Sequence, residues 1–148
     1  MTHLSIHFTL EEFTLSQTAV RRGIKNDPPP DVVENLRRLA RVMENVRTLL
    51  GSPVLISSGY RSPELNEAVG GSKKSAHCRG LAADFTCPGY GSPRDVALAI
   101  VRSELIYDQV ILEFGKWVHL GLSLEAPRAE ALTASLLDGV TTYTRNIA

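Results

Sequence analysis

The stretch Ser75-Ala-His-Cys-Arg-Gly-Leu-Ala-Ala-Asp84 places a histidine and a carboxylate seven residues apart, and a second histidine follows in Trp117-Val-His-Leu-Gly121. Two imidazoles and one carboxylate (His77, His119 and Asp84) are enough to hold a zinc ion and leave its fourth position open to water. That open position separates a hydrolytic zinc centre from a structural one. A carboxylate between Ala83 and Phe85 is costly to bury unpaired, and a cation offsets the cost. Gly80 and Ala82 are expected to keep bulk away from a site that substrate or metal must approach closely. Cys78 has three open readings: inert packing, a disulfide with Cys87, or a metal contact.

Elements that can position these groups follow from the local pattern. Thr9-Leu-Glu-Glu12 has the form of a capping box, and Ser16 caps a second short helix that runs to about Arg22. Asn26-Asp-Pro-Pro-Pro30 reads as an extended connector. Asp31 is expected to cap the longest helix, whose apolar stripe is Val32, Leu36, Leu39, Ala40, Met43, Val46, Leu49 and Leu50, with Gly51 as its stop. Residues 53–58 read as a buried strand. Ser62-Pro63 and Ser92-Pro93 each start a helix. A polar loop covers 70–75, and residues 80–85 read as a strand.

Residues 107–114 and 116–122 read as two strands turning at Gly115. Period two then sets Trp117, His119 and Gly121 on one face, with Val118, Leu120 and Leu122 on the core side. His119 is thus expected on the open side, as the floor of a cleft, with Trp117 beside it as a candidate substrate contact. Asp138-Gly139 marks a second hairpin, with flanking strands over 133–137 and 140–144. Helices first and hairpins later argue for an α+β fold: one domain over 1–148, with a core at about 8–123, a C-terminal hairpin at about 130–148, and a central antiparallel sheet flanked by helices.

Arg61 ends the first strand in Gly59-Tyr-Arg61, where its fork can enter a cleft to bind a carboxylate or stabilise an oxyanion. Together these segments resemble the zinc D-alanyl-D-alanine carboxypeptidase family, which includes the vancomycin-resistance dipeptidases and the phage L-alanyl-D-glutamate endolysins. The resemblance rests on Ser75, His77, Gly80, Ala82 and Asp84, on Ser58-Gly-Tyr-Arg61, and on His119. The opening Phe8-Thr-Leu-Glu-Glu-Phe13 and the segment Glu113-Phe-Gly-Lys-Trp-Val-His119 are similar to the phage and prophage branch.

The resemblance implies a Hedgehog/DD-peptidase-like fold and zinc held by His77, Asp84 and His119. It further implies that Arg61 polarises the scissile carbonyl, and that Ser75 binds substrate or steadies the ligand loop. The better-known members carry a carboxylate general base three residues before the last histidine, where this chain has Lys116. Glu113, brought near Trp117 or His119 by hairpin pairing, is the candidate base, with Asp108 the weaker alternative. Lys116 could bind a substrate carboxylate, but the default for a turn lysine is an exposed side chain.

Composition narrows the partners. The 148 residues carry 16 basic and 16 acidic groups, which gives no general attraction to nucleic acid or anionic membrane. No stretch approaches a membrane span, and no secretory signal is visible at Met1-Thr-His-Leu-Ser-Ile-His-Phe8, so synthesis in the cytoplasm and delivery to the wall by another route are expected. The expected function is a zinc-dependent peptidase, monomeric, acting on peptidoglycan stem peptides or cross-bridges, as in a phage or prophage lysin. The alternatives are a D-Ala-D-Ala carboxypeptidase or dipeptidase with the same site, and a non-catalytic zinc-containing wall-binding or virion module.

Overall fold

The expected capping signals set the starts of most helices. The computed structural model describes residues 1–148. Helix α1 (Leu10–Thr14) opens with the expected box: Thr9 Oγ1 accepts from the Glu12 amide at 3.3 Å, and Glu12 Oε1 accepts from the Thr9 amide at 3.1 Å. Ser16 caps α2 (Gln17–Arg22), and Gly23 closes it in the left-handed conformation. Helix α3 spans Pro30–Leu50. It starts two residues earlier than expected, because the fixed φ of proline suits the first helical turn; Asp31 lies inside that turn rather than capping it. Its stripe is buried at Leu36, Leu39, Ala40, Met43, Val46 and Leu50, whereas Leu49 is exposed. Ser62 caps α4 (Pro63–Ala68), and a second capping box, Ser92 with Asp95, opens α5 (Pro93–Val101).

The fold is α+β, with six strands in the order β1-β2-β4-β3-β5-β6. They are β1 (Leu55–Ser58), β2 (Ala82–Thr86), β3 (Gln109–Glu113), β4 (Trp117–Gly121), β5 (Glu130–Leu137) and β6 (Val140–Arg145). Two expectations change here. Strand β1 is an edge strand and is not buried: Leu55 is 54% exposed and the strand alternates between exposed and half-buried residues, because neither of its faces is packed to burial. The sheet is mostly antiparallel, but β5 runs parallel to β3, with Gln109 opposite Glu130 and Glu113 opposite Ala134. The chain after β4 returns to the start of β3, where the Ala129 and Glu130 amides donate to the Tyr107 and Asp108 carbonyls. That return forces β5 to travel in the direction of β3.

The chain divides into two compact units, Met1–Glu44 with Ile56–Ala83, and Asn45–Leu55 with Asp84–Ala148. The division falls inside α3, inside β1 and inside β2. The first unit is helical around Phe8, Phe13, Leu36, Leu39 and Leu65, all essentially buried. Its Phe8 and Phe13 rings pack at 5.9 Å in a tilted pair. The second unit holds the two hairpins. In the β3–β4 hairpin, Glu113 pairs with Trp117 and Ile111 with His119. The β5–β6 turn at Asp138-Gly139 has positive φ at both residues, as a tight hairpin turn requires.

Candidate metal centre

His77 lies in a single 3-10 turn, Ala76–Arg79, rather than in an open loop. Ser75 caps this turn: its Oγ accepts from the His77 amide at 3.2 Å and from Arg61 Nη2 at 3.4 Å. Gly80 closes it at φ +70°, and a Cβ there would meet Val32 Cγ1 and the Val32 carbonyl oxygen, both at 2.9 Å. The glycine is therefore needed for a left-handed cap packed on α3, not to leave room for substrate or metal as the sequence suggested. Ala82 is likewise fully buried in β2.

The His77 ring is held by backbone. Its Nδ1 lies 2.7 Å from the Gly59 carbonyl, which only accepts, so Nδ1 carries the proton and the lone pair of the neutral ring is on Nε2. The Arg61 amide donates back to the His77 carbonyl at 3.1 Å. This double link needs Gly59: a Cβ at that position would lie 2.5 Å from the Phe13 carbonyl oxygen. Sequence reasoning did not single out Gly59 as a residue that serves the site; its signal was a glycine ending a strand directly before a candidate catalytic arginine. The Arg61 side chain is half-buried, and its Nε is buried without a partner.

Asp84 in β2 and His119 in β4 meet directly, with Oδ1 3.0 Å from Nδ1. Glu113 joins from β3, its Oε1 3.6 Å from His119 Nδ1. Register explains this approach: Glu113, Ile111, Trp117 and His119 share one face of the hairpin. His119 is on the expected face but is not open to solvent; only 9% of its surface is accessible, because these carboxylates cover it. Trp117 packs edge-on against Phe114 at 5.7 Å, and its buried Nε1 has no partner.

Asp108 lies just before β3 and is engaged by Arg128, whose Nε and Nη2 donate to its two oxygens at 3.1 and 2.8 Å. That pairing removes it as a base. Lys116 is exposed in the hairpin turn. Cys78 and Cys87 are both free thiols, which excludes the disulfide reading here, and Cys78 stands outside the candidate ligand group.

His77, Asp84 and His119 each offer a ligand atom within 4.8 Å of the other two. Two imidazoles and a carboxylate fit the donor set of a catalytic zinc, with a fourth position left for water. No helix is long and apolar enough to cross a membrane. No curated protein matches the chain. The Peptidase M15 family model matches residues 6–121, a span that holds all three candidate ligands, Arg61 and Glu113. The chain belongs to the peptidase M15 family, and membership implies a zinc-dependent metallopeptidase.

Proposed function

We propose that the protein is a zinc-dependent peptidase that hydrolyses peptide bonds of bacterial peptidoglycan, in the manner of a phage or prophage lysin. The observation that carries this reading is the grouping of His77, Asp84 and His119 inside the region matched to peptidase M15. These three residues would hold the zinc, which when bound supplies a Lewis acid and an acidified water.

The remaining roles belong to the chain. Glu113 Oε1 takes the proton of the attacking water and returns it to the leaving amine nitrogen. Arg61 directs its guanidinium at the carbonyl oxygen and stabilises the negative charge that develops there. Ser75 keeps Arg61 and His77 in register through its single hydroxyl. Wall peptides carry free carboxylates, which suits a site that presents an arginine.

The test pairs zinc analysis of the purified protein with mass spectrometry of digested peptidoglycan. The expected result is one zinc per chain and new peptide termini in the stem or cross-bridge. Release of only terminal D-alanine would reassign it as a carboxypeptidase. Bound zinc with an unaltered wall would leave a non-catalytic module, and no zinc uptake would end the proposal.

A further inference from the structure

We infer that Asn26 is a positioning residue for Arg61, an inference that rests on the catalytic reading of Arg61 given above. Between the end of β1 at Ser58 and the start of α4 at Pro63, the backbone has no strand or helix to hold it. Arg61 sits in the middle of this stretch. A side chain that must direct its fork at a developing charge needs a fixed Cα, and here the fixing comes from outside regular structure.

Asn26 supplies it from both sides. Its Nδ2 donates to the Tyr60 carbonyl at 3.0 Å, and its Oδ1 accepts from the Ser62 amide at 2.7 Å. The two polar backbone groups that flank Arg61 thus close on a single side-chain amide. A second Nδ2 hydrogen bond, to the Thr14 carbonyl at 2.9 Å, anchors that amide at the end of α1. The Tyr60 amide donates to the Phe13 carbonyl and the Arg61 amide to the His77 carbonyl, so the arginine is held from α1, from the connector and from the 3-10 turn. Only an amide does this. Two of the bonds need a donor and one needs an acceptor, and aspartate of the same shape would face two carbonyls with a carboxylate. The segment Asn26-Asp-Pro-Pro-Pro30 therefore has a purpose beyond linking helices, since its prolines restrict the chain that presents this amide.

The experiment compares wild type with Asn26→Asp and Asn26→Ser, each also made in an Arg61→Ala background. Amide hydrogen exchange at Arg61 and Ser62 is read first, on the metal-free protein. Faster exchange confined to these amides and their neighbours is expected in both Asn26 variants. In the zinc-loaded enzyme, kcat on wall peptide should fall about a hundredfold with KM within a few-fold, the loss expected for a catalytic group displaced by about an ångström. In the Arg61→Ala background the same substitutions should remove nothing further, since a residue that acts through Arg61 has nothing left to position. Unchanged exchange at Ser62 would overturn the inference, and so would a full additional loss of rate without Arg61. If Asn26→Asp unfolds, Asn26→Ser, which keeps one donor and one acceptor, carries the same comparison. A wild-type protein that cleaves no wall peptide would defeat the functional proposal but leave the exchange result to be judged alone.

Discussion

Glu113 Oε1 stands 3.6 Å from His119 Nδ1, on the same face of the β3–β4 hairpin and two residues along from the partner of that histidine. The usual carboxylate position of the resembled family falls here in an exposed turn at Lys116, while the hairpin sets Glu113 beside His119, a position that suits the proposed general base. Replacing it with glutamine keeps the shape and removes the carboxylate proposed as the base. Glu113→Gln is expected to lower kcat about 10²- to 10⁴-fold with zinc content unchanged. Single-turnover hydrolysis with parallel metal analysis checks this. A variant that cleaves at the wild-type rate would remove Glu113 from the mechanism.

Gly59 is the narrowest point of the arrangement around His77. A methyl there would lie 2.5 Å from the Phe13 carbonyl oxygen and 2.7 Å from Phe13 Cα, both backbone atoms that cannot swing aside. Gly59→Ala should destabilise the fold by about 1–3 kcal/mol, the usual range for overpacking. It should also weaken zinc binding about 10- to 100-fold, because the carbonyl that orients the His77 ring moves with it. Denaturant unfolding and zinc titration measure the two effects separately. Normal zinc affinity in a destabilised variant would show that the ring keeps its place without the Gly59 contact.

Most of the local signals in the sequence match the structure, the cap expected at Asp31 being an exception. The box at Thr9, the helix start at Ser92-Pro93, the Asp138-Gly139 turn and the face shared by Trp117 and His119 depend on side chains within four positions or on strict alternation. Pairings across long stretches of chain left no such trace. The parallel run of β5 beside β3 depends on the return held by Asp108 and Arg128, and the exposure of β1 depends on how little packs on its two faces. At Gly80 the small residue was recognised but its neighbour was misjudged, because the contact comes from Val32, 48 positions earlier. Asn26 was read only as part of a proline connector, since its partners are backbone groups at 14, 60 and 62, which a sequence pattern does not display.

Zinc binding should appear as stability. A ligand that binds only the folded chain adds about 2.7 kcal/mol at a hundredfold excess over its Kd, or roughly 5–10 °C in Tm for a domain of this size. Chelator-treated protein should lose that increment and regain it on addition of zinc. Asp84→Asn and His119→Ala should each abolish the zinc-dependent shift while leaving the metal-free Tm within a few degrees. A zinc shift that survives both substitutions would place the ion elsewhere.

Asp108 predicts how the fold responds to acid. The Arg128 side chain, hydrogen-bonded across both of its oxygens, holds its carboxyl below the usual range and outweighs the opposing effect of partial burial; the Arg128 amide adds to the lowering. The folded-state pKa therefore lies below that of the unfolded chain, about 3.9. Between the two values the unfolded state binds more protons, so stability rises with pH through that window. The contribution is fully present above about pH 5 and is lost as pH falls through the folded value. Because this pair also fixes the entry to β5, losing it loosens the register that supports β3 and Glu113. Asp108→Asn should lower stability at pH 7 and flatten the decline of stability between about pH 5 and pH 2 relative to wild type. Urea unfolding at several pH values tests this, and parallel curves for the two proteins would show that the pair contributes nothing to acid sensitivity.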